Sequence, residues 1–326
     1  MVTPRSSIAD RLRGCVVPAV PVPFGDDGDI DVELQDAYVT WMARQEIGGV
    51  AIWAHTGRGT KLTEEQREQV ARAWRSGLDG HALICGVGVS DSVDLPSDPD
   101  SLTEVVLRAV TDSAAAARSH GADAALVYPP ATLSDLPEAE ERVLEYHRAA
   151  GAAGIPLIAF FLYKAAGGVS YSPALIKRLL ELDSVVGIKV ATLDSVMTYQ
   201  DILDVVTRVP DALPITGEDR FLGYSLMVGA KSALIGMAAA VTDRCTALLN
   251  AHASERWSDF HELSSMLDAF SRTTFAAPME GYVQRMLWAL EADGVFSRPA
   301  HDPWCPTLDL NERDRVFSAV RALRSR

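Results

Sequence analysis

The sequence predicts a (β/α)8 barrel with additional C-terminal helices. Three observations carry that expectation: short apolar, β-branched runs alternate with longer amphipathic stretches, eight such runs occur before residue 250, and a lysine closes one of them. Strands are expected at 16–20, 49–54, 82–88, 123–128, 156–162, 185–190, 213–216 and 232–237. Helical periodicity fills the spaces between them at 64–76, 102–119, 138–150, 173–182 and 196–206. Thr63 with Glu64, Glu65 and Gln66 behind it has the form of a capping box, and Ser172-Pro173 is a favourable helix start. A barrel over residues 1–250 leaves 251–326 as a helical extension, expected to pack on the barrel, with helices at 282–291 and 311–323. One excursion, residues 90–101, carries Pro96, Pro99 and four aspartates and reads as a solvated loop or as a mobile flap over the barrel mouth.

Composition narrows the function classes. A chain of 326 residues with 48% hydrophobic content buries a substantial core. Its formal net charge of -14 repels nucleic acid phosphates and anionic lipid, so neither is an expected partner. Residues 1–10 lack the apolar centre of a signal peptide, and no apolar run reaches membrane-spanning length. Cys15, Cys85, Cys245 and Cys305 are far apart and share no metal-ligand spacing with the seven histidines. Reduced thiols, a cytoplasmic location and no bound metal follow as expectations. In His301-Asp302-Pro303-Trp304-Cys305 the proline breaks any ligand geometry.

Ser184-Val185-Val186-Gly187-Ile188 lead into Lys189, which places a primary amine at the carboxyl end of a buried strand. That is the end where barrels of this class put their chemistry. An ordinary lysine titrates near 10.4, and bringing it to about 7 takes roughly 3 units, or about 4 to 5 kcal/mol of desolvation or like-charge repulsion. A dry strand end supplies such a shift. The neutral amine attacks a ketone or 2-oxo acid, and the resulting iminium draws electrons from the adjacent carbon. The alternative is a lysine that runs its stem past the strand end and keeps its head in water.

Several short motifs recur in one order: Val17-Pro18-Ala19 through Pro23-Phe24, Thr56-Gly57 followed by Leu62-Thr63-Glu64-Glu65, Gly86-Val87-Gly88, Gly121-Ala122-Asp123, Gly187-Ile188-Lys189 and Thr216-Gly217-Glu218-Asp219. In that order and spacing, from about Gly14 to Pro299, the chain resembles the dihydrodipicolinate synthase / N-acetylneuraminate lyase family of lysine-dependent aldolases. The resemblance implies that Lys189 forms an imine, that no cofactor is needed, and that the protein is a homo-oligomer, a dimer or tetramer. It also implies a carboxylate cradle after the second strand, where this chain has Ala54-His55-Thr56-Gly57-Arg58. Thr56 and Gly57 retain a hydroxyl and an unhindered amide for a carboxylate. The family's relay threonine is replaced by His55 and its glutamate by Arg58.

His55 either takes over acid–base work in the barrel mouth or only hydrogen-bonds a loop carbonyl. Arg58 clamps a second carboxylate or phosphate, or is solvated. The family's proton-relaying tyrosine lies on the fifth strand, where this chain has Phe160, and a phenyl ring passes no proton. Tyr163, three residues on, serves only if the strand ends and the chain turns inward; otherwise it is a packed aromatic. Leu234-Ile235-Gly236 resembles the segment whose backbone lines the imine pocket, and Glu218 and Asp219 read as structural. Glu280 is expected to reach the mouth only if the C-terminal helices fold over it. No arginine occurs near Ala165-Ala166, where synthase members bind their amino-acid substrate, and the family's tyrosine lent by a neighbouring subunit is replaced near Ala131-Thr132. Dihydrodipicolinate synthesis is therefore not the expected reaction.

The expected function is an imine-forming lyase, of aldolase or dehydratase type, acting on a 2-oxo acid such as pyruvate or a hydroxylated sugar-acid derivative. The second possibility is a catalytically silent small-molecule-binding barrel that lost its relay tyrosine. On the first reading, binding weakens as His55 and Lys189 protonate.

Overall fold

The computed structural model describes residues 4–325; residues 1–3 and 326, included in the expected domain boundaries, lie outside the described residues. Strands β1 (Val16–Pro18), β2 (Gly49–Ile52), β3 (Ala82–Val87), β4 (Ala124–Val127), β5 (Leu157–Leu162), β6 (Val185–Ala191), β7 (Leu213–Thr216) and β8 (Ser232–Ile235) pair in parallel in the order β1-β8-β7-β6-β5-β4-β3-β2. A parallel bridge between Ala19 and Ala51 brings β1 against β2 and closes the ring. Eight parallel strands that close in this way form the expected (β/α)8 barrel.

Alternation along each strand sends one set of side chains inward and the other toward the helices. Val17, Ala51, Ala82, Ile84, Leu126, Ile158, Phe160, Ile215 and Leu234 fill the interior. Ile8, Ala9 and Leu12 of α1 (Pro4–Leu12) join that cluster and stop the amino-terminal end of the barrel. The outward set, including Val16, Val50, Ile52, Cys85, Ile188 and Val190, packs under the surrounding helices α2 (Val32–Met42) to α9 (Thr242–Ala253).

β1 to β4 and β8 end earlier than the apolar runs, whereas β6 runs one residue further: Trp53, next after β2, has a φ of 54°, a left-handed conformation that stops pairing. Around the 90–101 excursion, Asp98 accepts from Ser101 N and caps α4 (Pro99–Ser119), so 99–101 is the first turn of a helix rather than loop. Between Leu157 paired with Val185 and Ile158 paired with Gly187, a bulge adds Val186 to β6. Val186 faces inward, and without the bulge Ile188 would follow it while Lys189 pointed at the helices. Gly187 suits this place because a Cβ would lie 2.2 Å from Leu213 O. The bulge therefore aims the lysine.

Beyond the barrel, α10 (Trp257–Thr274), α11 (Tyr282–Ala292) and α12 (Glu312–Arg324) pack against it. Arg285, only 1% exposed, holds this extension together. Its Nε donates to Glu312 at 2.5 Å, and its Nη1 donates to the carbonyls of Thr274, Ala276 and Pro278 at 3.3, 2.7 and 3.2 Å. The segment so tied, 275–281, lies over the barrel mouth.

Candidate active site at the barrel mouth

Lys189 is 6% exposed, and its Nζ sits 4.1 Å from the centroid of the Phe160 ring, the residue it pairs with across β5 and β6. Burial pushes the amine down to about 8, opposed by the carboxylates of Asp219 and Glu218. Burial likewise raises both carboxyls to about 7. Asp219 accepts from Met237 N at 2.6 Å, and Glu218 accepts from Thr192 N, Thr192 Oγ1 and Leu193 N at 2.5, 2.9 and 2.9 Å. The pair thus braces the loops after β6 and β8 and lends Lys189 a partial counter-charge. Gly217 completes the slot, since a Cβ there would meet Lys189 Cε at 2.7 Å. Gly217→Ala is expected to destabilise the fold by about 1 to 3 kcal/mol through overpacking and to slow modification of the lysine, read by denaturant melts and by imine trapping.

Opposite the amine stands a chain of polar groups. His55 Nδ1 lies 3.0 Å from the Tyr282 hydroxyl, which lies 3.1 Å from Thr56 Oγ1, while His55 Nε2 is 3.4 Å from Glu280 Oε1. Burial lowers the imidazole to about 4, so it is neutral at pH 7. Desolvation sets the two groups apart, His55 at about 4 and Lys189 at about 8. Glu280 does reach the mouth, because the C-terminal segment folds over it. Tyr282 carried no signal in the sequence beyond its place at a helix start; its stack on Phe275, with ring centroids 4.9 Å apart, holds it over the cavity.

Arg58 is neither solvated nor free to clamp a ligand. Its guanidinium is buried against Asp302, at 2.7 Å from Nη2, and Glu280, at 2.5 Å from Nη1, and Nη2 also donates to Glu280 O at 2.9 Å. The acceptors it was expected to draw from a substrate are supplied by the chain itself. His301, next to Asp302, pairs instead with Asp26 at 2.8 Å.

A small cavity of about 30 Å3 at the lysine is lined by His55, Thr56, Phe160, Tyr163, Lys189, Gly236 and Tyr282, among others. Since β5 ends at Leu162, Tyr163 escapes the strand's alternation and turns in; burial raises its pKa. Leu234 belongs to the barrel interior, whereas the Ile235 side chain packs outward under the helices, so of that segment Gly236 borders the cavity. Gly57 lies in the turn after β2 but is not among the lining residues; its backbone packs on Val20 and Trp53. Above the small cavity a vestibule of about 340 Å3 runs past Lys61, Tyr128, Pro130, Leu162, Ala166 and Glu280.

The Dihydrodipicolinate synthetase family model matches residues 12–323. An uncharacterized DapA-like lyase of Thermococcus kodakarensis is 29% identical over 315 residues, covering 96% of this chain and 98% of that protein. A 4-hydroxy-tetrahydrodipicolinate synthase of Prochlorococcus marinus is 26% identical over 320 residues, covering 95% of each. Among solved structures, dihydrodipicolinate synthase from Oceanobacillus iheyensis superposes with a TM-score of 0.79 at 20% identity, over 99% of this chain and 100% of that one. YagE from E. coli K12, crystallised with pyruvate, gives 0.78 at 19% identity, over 95% and 98%. At these identities the structures speak to the fold.

Proposed function

The chain belongs to the dihydrodipicolinate synthetase family, and from that premise we propose that it is a lyase that forms an imine between Lys189 and a 2-oxo acid. The observation that carries this reading is the buried amine at the carboxyl end of β6, desolvated to about 8 and therefore partly neutral at physiological pH. The name lyase borne by the Thermococcus relative and the pyruvate in the YagE crystals agree with it.

Lys189 Nζ adds to C2 of the 2-oxo acid and expels water, leaving an iminium that serves as the electron sink without a cofactor. In an aldol cleavage the C3–C4 bond of a 4-hydroxy-2-oxo acid breaks, its electron pair makes the enamine, and the C4 hydroxyl loses a proton as the aldehyde leaves. In a dehydration the C3 proton is removed and hydroxide departs. Both need a proton carrier beside the lysine, and His55, which lines the same cavity, is the residue proposed for that work. Thr56 offers its hydroxyl to the substrate carboxylate. Ala166 and Gly167 line the vestibule where a synthase would need an arginine, which supports a substrate other than a second amino acid.

The test is borohydride reduction in the presence of pyruvate and longer 2-oxo acids, followed by peptide mapping. An adduct on the peptide containing Lys189 is expected, and its yield ranks the substrates. The Phe160 ring under the amine favours a second reading, in which an ammonium held over an aromatic face captures carboxylates without reacting. Binding without any reducible adduct would select that one. If the lyase reading holds, His55→Asn lowers turnover by about 100-fold to 10,000-fold while sparing the trapped adduct; unchanged turnover rules His55 out as the carrier.

A further inference from the structure

We propose that Tyr282, acting with His55 and Glu280, is the proton-carrying group of the Lys189 cavity. The proposal deepens the imine reading and rests on it. The cavity floor at Phe160 has no exchangeable proton, whereas the opposite wall carries several polar groups joined to one another. There Thr56 Oγ1, Tyr282 Oη, His55 Nδ1 and Nε2, and Glu280 Oε1 form one continuous line with steps of 3.1, 3.0 and 3.4 Å. Its inner end, Thr56 and Tyr282, is buried and borders the lysine; its outer end, Glu280, is 40% exposed and borders the vestibule. A neutral imidazole has one donor and one acceptor nitrogen, so this line has two proton arrangements. In one, Nε2–H donates to the Glu280 carboxylate and Nδ1 accepts from the tyrosine hydroxyl. In the other, a protonated Glu280 donates to Nε2, and Nδ1–H donates to the tyrosine oxygen.

Passing from the first arrangement to the second moves one proton from the cavity to Glu280. The C3–H bond of the iminium breaks, its electron pair forms C2=C3, and the iminium pair settles on Nζ to give a neutral enamine. The tyrosine oxygen takes the C3 proton as it gives its own to Nδ1, and Nε2 gives its proton to the carboxylate. The reverse passage returns it. Arg58 positions the outer end through Glu280 Oε2 and O, and the Phe275 stack positions the inner end. Tyr163 borders the same cavity but lies outside this line.

The experiment follows exchange of the pyruvate methyl protons in deuterium oxide by NMR, with borohydride trapping on the same samples. Wild-type protein is expected to trap and to exchange. Tyr282→Phe keeps the ring and its stack; trapping within twofold of wild type and exchange slower by at least about 30-fold, toward the range of a lost acid–base group, are expected. Glu280→Gln is expected to slow exchange too. Added imidazole is expected to restore exchange to His55→Ala but not to His55→Ala/Tyr282→Phe, a rescue that a packing role would not produce. Exchange at the wild-type rate in Tyr282→Phe, or lost in Tyr163→Phe while kept in Tyr282→Phe, overturns the relay and leaves the imine reading standing. A wild-type protein that traps but does not exchange overturns the relay as well, and one that does neither overturns both.

Discussion

Lys189→Met is expected to abolish borohydride trapping and to lower turnover by at least about 10,000-fold, the scale on which removal of a covalent nucleophile reads out. The same change is expected to make the protein more stable. The amine is lowered from 10.5 to about 8 by burial, which at 1.36 kcal/mol per unit is a penalty of about 3 kcal/mol on the folded ammonium. Methionine has nearly the same length and no charge to desolvate. The sign follows from proton linkage. Below pH 8 both folded and unfolded chains hold the proton, and the folded state bears the full penalty. Between pH 8 and 10.5 the folded amine is neutral while the unfolded one is still charged, so wild-type stability rises with pH. The advantage of the variant should therefore be largest near pH 7 and vanish toward pH 10.5, as thermal melts across that range can show. Asp219 limits the gain, because without the ammonium beside it the buried carboxyl is driven further toward its protonated form. A variant less stable than wild type at every pH would falsify the desolvated-amine account.

Arg58→Met is expected to destabilise the fold by about 3 to 5 kcal/mol, the usual result of leaving one member of a buried ion pair without its partner. The Asp302 side chain is 1% exposed and faces the guanidinium through both oxygens, at 3.3 Å from Nε to Oδ1 and 2.7 Å from Nη2 to Oδ2. Asp302→Leu alone should be comparably damaging. The double variant Arg58→Met/Asp302→Leu should recover much of the loss, since no orphaned charge remains, and a double-mutant cycle in urea measures that coupling. Glu280, more exposed, contributes less to stability but more to function. Its backbone oxygen accepts from Arg58 Nη2, so loss of the arginine removes the ties that aim Glu280 at His55, while Arg285 still holds the rest of the segment. Turnover of the folded double variant should accordingly stay low even where stability returns. Independent, additive effects of the two single changes would show that the pair does not act as a unit.

The amino-acid sequence by itself determined the barrel and its reactive end. Strand periodicity, helix caps at Thr63 and Ser172, and the apolar run that stops at Lys189 are all local patterns, readable within a few residues because they reflect backbone geometry and partition into a core. The direction in which Lys189 points was not local. It depends on the bulge at Val186, which exists because β5 and β6 pair out of step at Leu157 and Ile158, and a single extra residue reverses every side chain beyond it. Tyr163 turned inward for a related reason, that β5 stops at Leu162.

The roles of Arg58 and Tyr282 were beyond any local reading. Arg58 and Asp302 lie 244 residues apart and Tyr282 and Thr56 226 apart, each pair joining the turn after β2 to a C-terminal part whose place over the mouth is set by Arg285 and by the packing of α11 and α12. A buried arginine looks the same in sequence as a solvated one until the carboxylates that neutralise it are in place. Charge and hydrogen-bond pairing across such distances is decided by tertiary packing, because only the folded chain removes water and leaves each group a single set of partners.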